Sequence, residues 1–281
     1  MEKPKTQPRE EDVFDYQIGL DEVALPLVEK HFFDIAGYLP LGALLTSEQV
    51  KQAREELESN AVTVPGRYGL ECANIIECGG VLEDAMALPP VIDRIKQFIW
   101  GRQHRLVASR ALRRDPGEST RLSQGGVADE RRYARYRCLG DGQFRCLLTT
   151  CLIALQDSGA DDGGFCVVPS SHKAQFSHPY ESTALDDISP LSTVALRAGE
   201  AILFTESLSH AFRASAATQW WLVYQYGTSY MVTWPGCEPS AELLGRTTDD
   251  PVKSHLLLEP YYHPMGSQKG AARDGEPRGE A

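Results

Sequence analysis

Gly163-Gly164-Phe165-Cys166-Val167-Val168-Pro169-Ser170-Ser171-His172-Lys173, joined further on by Phe204-Thr205-Glu206-Ser207-Leu208-Ser209-His210, is the stretch that decides the fold. Asp161-Asp162-Gly163-Gly164 is a turn signal, because Asp and Gly tolerate the left-handed backbone of tight turns. Phe165–Val168 is then a short apolar strand, and Pro169, which has no N–H to donate, stops it and makes Pro169–Lys173 a corner. A second turn, Arg197-Ala198-Gly199-Glu200, feeds the apolar run Ala201–Phe204, and a polar segment leads from there to His210.

Outward from this stretch, short apolar runs recur between Gly, Pro, Asp and Ser. Leu106–Leu112, Phe144–Leu155, Thr193–Leu196 and Trp220–Tyr226 join the two runs above as expected strands, and their spacing predicts an all-β sandwich or barrel. Gly140-Asp141-Gly142 predicts a hairpin between Tyr136-Arg137-Cys138 and Phe144 onward. Toward the N-terminus, Leu20, Val23, Leu27, Phe32 and Ile35 predict one helix, and Ser47–Ser59, opening on a capping candidate, predicts another. Residues 1–16 and 266–281 have the composition of disordered tails, so the expected folded unit is a single jelly-roll domain over residues 17–265.

Composition excludes several classes. The chain of 281 residues carries 28 Lys and Arg against 39 Asp and Glu, a net charge of −11 that disfavours nucleic-acid and acidic-membrane partners. No apolar run approaches the ~18 residues of a membrane helix, and Met1–Tyr16 lacks an apolar signal region, so a soluble, cytoplasmic protein is expected. Seven cysteines form no Cys-x-x-Cys pair and read as reduced, mostly buried thiols. Cys146 and Cys151, five apart in one expected strand, fall on opposite faces. There is no Walker loop, no Gly-x-Gly-x-x-Gly after a strand and no Gly-x-Ser-x-Gly elbow.

Charge is unevenly distributed. Between Arg94 and Arg145 thirteen basic residues face five acidic ones, which leaves the rest of the chain at −19. A solvated rim explains this, and so does a pocket mouth lined by Arg110, Arg113, Arg114, Arg131, Arg132 and Arg135 for a carboxylate or phosphate, which guanidinium groups bind bidentately.

Taken together the motifs resemble the phytanoyl-CoA dioxygenase-like branch of the iron(II)/2-oxoglutarate oxygenases, over about residues 30–235. In that family a strand ending Leu-Thr-Asp leads to Gly-Gly-Phe, then a Pro-Gly-Ser-His-Lys turn, and later a Thr-His carrying the distal metal histidine. Here the strand ends Leu155-Gln156-Asp157. The resemblance implies a double-stranded β-helix, jelly-roll or cupin-like, with flanking N-terminal helices. It also implies iron(II) held by two histidines and a carboxylate, and 2-oxoglutarate anchored by an arginine.

Residue by residue, the resemblance places the distal metal ligand at His210. In Leu122-Ser123-Gln124-Gly125-Gly126, Gln124 stands at the first histidine and Gly126 at the carboxylate, with Asp129 or Glu130 as a replacement carboxylate and His104 as a replacement histidine. The co-substrate arginine, expected just before Leu222-Val223-Tyr224-Gln225-Tyr226, is replaced by Gln219-Trp220-Trp221, and indoles cannot neutralise a buried carboxylate. Asp157, Glu206, His210 and Tyr224 are the acid–base groups at hand, and the aromatic run Trp220, Trp221, Tyr224, Tyr226, Tyr230 and Trp234 offers an apolar lining.

The expected function is a small-molecule enzyme of oxygenase descent with an incomplete standard metal site. His210, Tyr224 and Glu206 are its catalytic candidates; Arg110, Arg132, Trp221 and Tyr226 are its contacts to a small organic substrate with an anionic group or a large apolar part. Iron(II) and 2-oxoglutarate are its cofactors by resemblance. The alternatives are a metal-free isomerase, cyclase or lyase in the same pocket, and a non-catalytic binding protein.

Overall fold

A computed structural model describes residues 26–60, 62–99, 104–123, 136–138, 144–159, 162–174 and 176–260. The expected boundaries at 17 and 265, both tails, the Gly140-Asp141-Gly142 turn, Gln124, Gly126, Asp129, Glu130, Arg131, Arg132 and Arg135 all lie outside these residues. Among the described residues no helix is long and apolar enough to cross a membrane.

Twelve strands are described. They are β1 (Tyr38–Ala43), β2 (Val64–Pro65), β3 (Leu70–Ala73), β4 (His104–Arg114), β5 (Tyr136–Cys138), β6 (Phe144–Cys146), β7 (Leu148–Ala154), β8 (Gly164–Val167), β9 (Ser192–Thr193), β10 (Glu200–Thr205), β11 (His210–Arg213) and β12 (Gln219–Thr228). The helices are α1 (Leu27–Ala36), α2 (Ser47–Asn60), α3 (Gly80–Asp84), α4 (Pro89–Ile99), α5 (Ala241–Arg246) and α6 (Pro251–Leu256). A seven-stranded sheet runs in the order β1-β10-β7-β12-β4-β3-β2, and a three-stranded sheet runs β11-β8-β9. The ribbon β5-β6 pairs antiparallel, with Arg137 opposite Arg145, as the hairpin signal requires.

These sheets form the mainly β, cupin-like jelly roll, and two cores divide its side chains. Between the large sheet and the helices lie Ile95 and Phe98 of α4, Ala53 and Leu57 of α2, and the strand residues Ala111, Ile153, Leu203, Leu222 and Tyr224. Between the two sheets lie Leu112, Leu152, Phe165, Phe204, Phe212, Trp221 and Val223. A strand puts alternate residues on opposite faces, so β12 sends Trp220, Leu222, Tyr224 and Tyr226 to the helices and Trp221, Val223 and Gln225 to the inter-sheet space.

The turn chemistry is as predicted at the corner and before β10. Ser170 takes a left-handed φ of 67°, its N–H donating to Ala36 O and its hydroxyl to Ile35 O. Gly199 has φ 85°, and a Cβ there would meet Leu45 O at 2.3 Å, so only glycine fits. For α2 the cap lies one residue earlier than expected, where Thr46 and Gln49 exchange hydrogen bonds, as in a capping box.

Two expectations are corrected. The long strand Phe144–Leu155 breaks between Cys146 and Leu148, which resets its alternation; Cys146 and Cys151 therefore both join the helix-side core instead of opposite faces. On α1, Leu27, Phe32 and Ile35 are exposed at 81%, 41% and 49%, while the buried face is Phe33 and Ala36, with Phe33 stacked on Phe98 at 4.1 Å.

Candidate functional site

Register positions the site. His210 opens β11, pairs with Val167 of β8, and on its other side exchanges two backbone hydrogen bonds of 2.8 Å with Ser123. Ser123 is thus the neighbour of His210 in the ladder, while Gln124 and Gly126 are outside the described residues.

His210 is 2% exposed and packs against Phe204 and Phe165 at ring separations of 4.9 and 5.7 Å. Its Nδ1 is 2.7 Å from Leu208 O, an atom that can only accept, so Nδ1 carries the proton. Nε2 is left with a lone pair, and the Tyr68 hydroxyl, 2.9 Å away, donates to it. Burial holds the His210 pKa below the ordinary imidazole value, although the Glu206 carboxylate pulls the other way.

Tyr68 was not among the residues singled out from sequence. It sits in the loop between β2 and β3, where Gly66 N–H bonds Gly69 O at 2.8 Å, and Arg114 donates to the Tyr68 carbonyl at 2.5 Å. No motif marks it, because it comes to His210 from 142 residues away.

His210 and Tyr68 lie at the edge of a cavity of about 780 Å³ between the sheets. Its apolar lining includes Leu112, Leu152, Phe165, Phe204, Phe212 and Val223, and Tyr230, Met231, Val232, Trp234 and Pro235 form a further wall. A polar rail runs along another side. Glu206 Oε1 accepts from Thr150 Oγ1 and, at 2.8 Å, from Gln225 Nε2; Gln225 Oε1 in turn accepts from Arg110 at 3.1 Å. Arg110 lies over the Trp234 ring at 4.9 Å.

Of the candidates from sequence, the cavity brings together His210, Glu206 and Arg110, with Tyr230 and Trp234 from the aromatic run. Tyr224 and Tyr226 face the helices, where their hydroxyls donate to Leu82 O at 2.7 Å and Met86 O at 2.8 Å, and burial holds both phenols far above their ordinary pKa. Trp221 points between the sheets but is fully buried beside Phe212 at 5.3 Å and is not part of the cavity wall. Asp157 accepts from Ala198 N–H in a loop, and Arg113 pairs with Asp115.

His104 is also removed from the cavity. A bulge in β4 leaves Val107 unpaired between Ala108, opposite Gln225, and Leu106, opposite Tyr226, and so reverses the strand's facing. His104 falls on the helix side against His255 of α6, with ring centroids 5.0 Å apart.

The iron(II) site implied by the resemblance can be compared with these donors. His210 is the imidazole on the cavity wall, and the lone pair that would face a metal is engaged by a phenol. Among the described residues Glu206 and Glu71 are the wall's carboxylates, and no group of three His, Cys, Asp or Glu is placed to hold an ion. Of the inward-facing positions of β12 where a co-substrate arginine is expected, Gln219 donates to Asp162 O and Trp221 is packed in the core. The described donors do not fit a two-histidine, one-carboxylate site.

The cavity thus lies inside the jelly roll, with the buried His210 opening the strand beside it. The profile of the phytanoyl-CoA dioxygenase family matches residues 33–218, well over half of the chain, and the chain belongs to that family. It is an enzyme of oxygenase descent. No curated protein matches the sequence.

Solved structures share the fold. HygX from Streptomyces hygroscopicus, crystallised with nickel and 2-oxoglutarate, is 24% identical, covers 78% of this chain and 94% of its own, and superposes with a TM-score of 0.67. The epimerase SnoN, in complex with Fe3+, alpha ketoglutarate and nogalamycin RO, is 18% identical over 77% of this chain and 88% of its own, at a TM-score of 0.56. The alpha ketoglutarate dependent carbocyclase SnoK from nogalamycin biosynthesis is 17% identical over 86% of this chain and 95% of its own, at 0.54.

Proposed function

We propose that this chain acts on a small organic molecule in the inter-sheet cavity and that its metal site is incomplete, so that His210 serves as a proton-transfer group and not as an iron ligand. The observation that carries this reading is the hydrogen bonding of His210. Its Nδ1 proton is fixed on Leu208 O, and its Nε2 lone pair accepts the Tyr68 hydroxyl. A neutral imidazole of lowered pKa, wired to a phenol at a cavity wall, is the arrangement of an acid–base pair.

In this reading Tyr68, the less buried of the two, meets the substrate, and its proton moves to Nε2 as its oxygen takes one from the substrate. Glu206 stabilises the imidazolium that forms. Base-catalysed epimerisation, cyclisation and elimination each open with such a proton transfer. Arg110 belongs to the substrate contacts. Trp221 supports them from behind Phe212, and Arg132 remains a candidate contact.

The test is an anaerobic thermal-shift titration with iron(II) and 2-oxoglutarate, alone and together, beside metal analysis of the purified protein. The expected result is no joint shift and no stoichiometric metal. A ligand at a hundred times its dissociation constant adds about 2.7 kcal/mol, a shift of a few degrees for a chain of this size. A joint shift that disappears in His210→Ala would overturn the proposal and make His210 an iron ligand.

A further inference from the structure

Arg110 projects from β4 into the cavity opposite Val223 of β12, with its side chain 17% exposed. A guanidinium has five N–H donors, and among the described residues Arg110 uses one, in the bond to Gln225 Oε1. Its nearest carboxylate, Glu71 Oε2, lies 3.8 Å from Nε, too far for a hydrogen bond.

Glu71 is held back from Arg110 by its own surroundings. Its other oxygen accepts the Arg67 N–H at 2.9 Å, and its carboxyl carbon fills the space that a Cβ on Gly66 would occupy, at 2.2 Å. The pair therefore has opposite charges in a partly desolvated place without the short, two-pronged contact that such groups otherwise form. The Trp234 ring lies under the guanidinium, 4.9 Å from its carbon, and both side chains line the cavity.

We propose that Arg110 is the receptor for a carboxylate on the bound molecule, and that the cavity takes a carboxylate with an aromatic or apolar body, the body lying against Phe165, Phe204 and Phe212. This rests on the cavity being the ligand site, as in the preceding section, but not on the role of His210. Glu71 acts as a counter-ion that keeps Arg110 neutralised in the empty cavity and competes with the incoming carboxylate. That group can belong to the substrate or to a small oxoacid such as 2-oxoglutarate, held here by β4 instead of β12.

Calorimetric titration of the full chain with naphthoate, with neutral naphthylmethanol and with 2-oxoglutarate separates these cases. Naphthoate should bind more tightly than the alcohol. Arg110→Gln should weaken it by about tenfold or more and erase the difference between the two. Glu71→Gln should tighten naphthoate binding, a gain that a misfolded variant cannot produce. Arg110-dependent binding of 2-oxoglutarate without naphthoate would assign the receptor to the oxoacid.

Naphthoate affinity unchanged in Arg110→Gln, or lowered in Glu71→Gln, would overturn the inference and leave the proposed function standing. Binding of none of the three compounds by the unaltered protein would remove the cavity as a ligand site, and both proposals with it.

Discussion

Arg114 is 1% exposed and has no ion-pair partner among the described residues, yet it keeps a guanidinium inside the jelly roll. Burial lowers its pKa, and what retains the charge is geometric: one amino group reaches the Tyr68 carbonyl, the other reaches the Glu118 carbonyl, and the plane lies 5.0 Å from the Phe212 ring. It joins two loops and so sets where the Tyr68 hydroxyl stands relative to His210. An ammonium cannot span both carbonyls. Arg114→Lys is accordingly expected to cost about 2 kcal/mol in urea unfolding, from lost charged hydrogen bonds and a less satisfied buried cation. The same variant should alter the His210 ring signals in a nitrogen-15 histidine spectrum; unchanged signals would mean that Tyr68 is placed by other contacts.

The helices α5 and α6 are fastened to α3 by Glu83, whose two oxygens take Arg246 at 2.7 Å and Lys253 at 2.8 Å, while Lys253 also reaches Asp84 at 2.6 Å. Burial pushes the Glu83 carboxyl up, but the bonds from Lys253 and Arg246 outweigh it and hold the pKa below the ordinary value. Glu83→Gln should cost about 1–2 kcal/mol, because each cation loses a charged partner while Lys253 keeps Asp84 and Arg246 keeps the Ile76 and Glu77 carbonyls, and denaturant midpoints would show it. This junction was not legible in the sequence, since Glu83 and its partners are more than 160 residues apart and carry no local pattern. The jelly roll was legible wherever a turn forced it, as at Pro169-Ser170 and Gly199-Glu200. Family motifs likewise led to His210. What failed was facing: Tyr224 and Tyr226 share the strand of Gln225 but look the other way, and an aromatic-rich stretch does not reveal which of its phases meets the cavity. Tyr68 was invisible for the reason that Glu83 was.

For the molecule as a whole, the buried imidazoles govern behaviour in mild acid. His172, 4% exposed and set edge-on against Tyr136, has its pKa pushed down to about 4 by burial, against an ordinary 6.5, and His210 is shifted in the same direction. Between these values the unfolded chain binds more protons than the folded one, so stability is full above 6.5 and declines as pH falls toward 4, by on the order of 1–3 kcal/mol for His172. Urea midpoints from neutral pH downward should show this slope, and His172→Gln should flatten it; an equal slope in the variant would assign the proton to another group. Glu83, with its lowered pKa, adds its loss from the ordinary carboxylate value of 4.5 downward, so its step begins where that of His172 is ending. The bulge in β4 ties this body together in a further way. Because Val107 is left out of the ladder, its carbonyl is free to take the Trp234 N–H at 2.9 Å. One residue out of step thus swaps the strand's faces, so that His104 and Leu106 back the helices while Arg110 and Leu112 meet the cavity, and the carbonyl it sets free anchors the opposite wall.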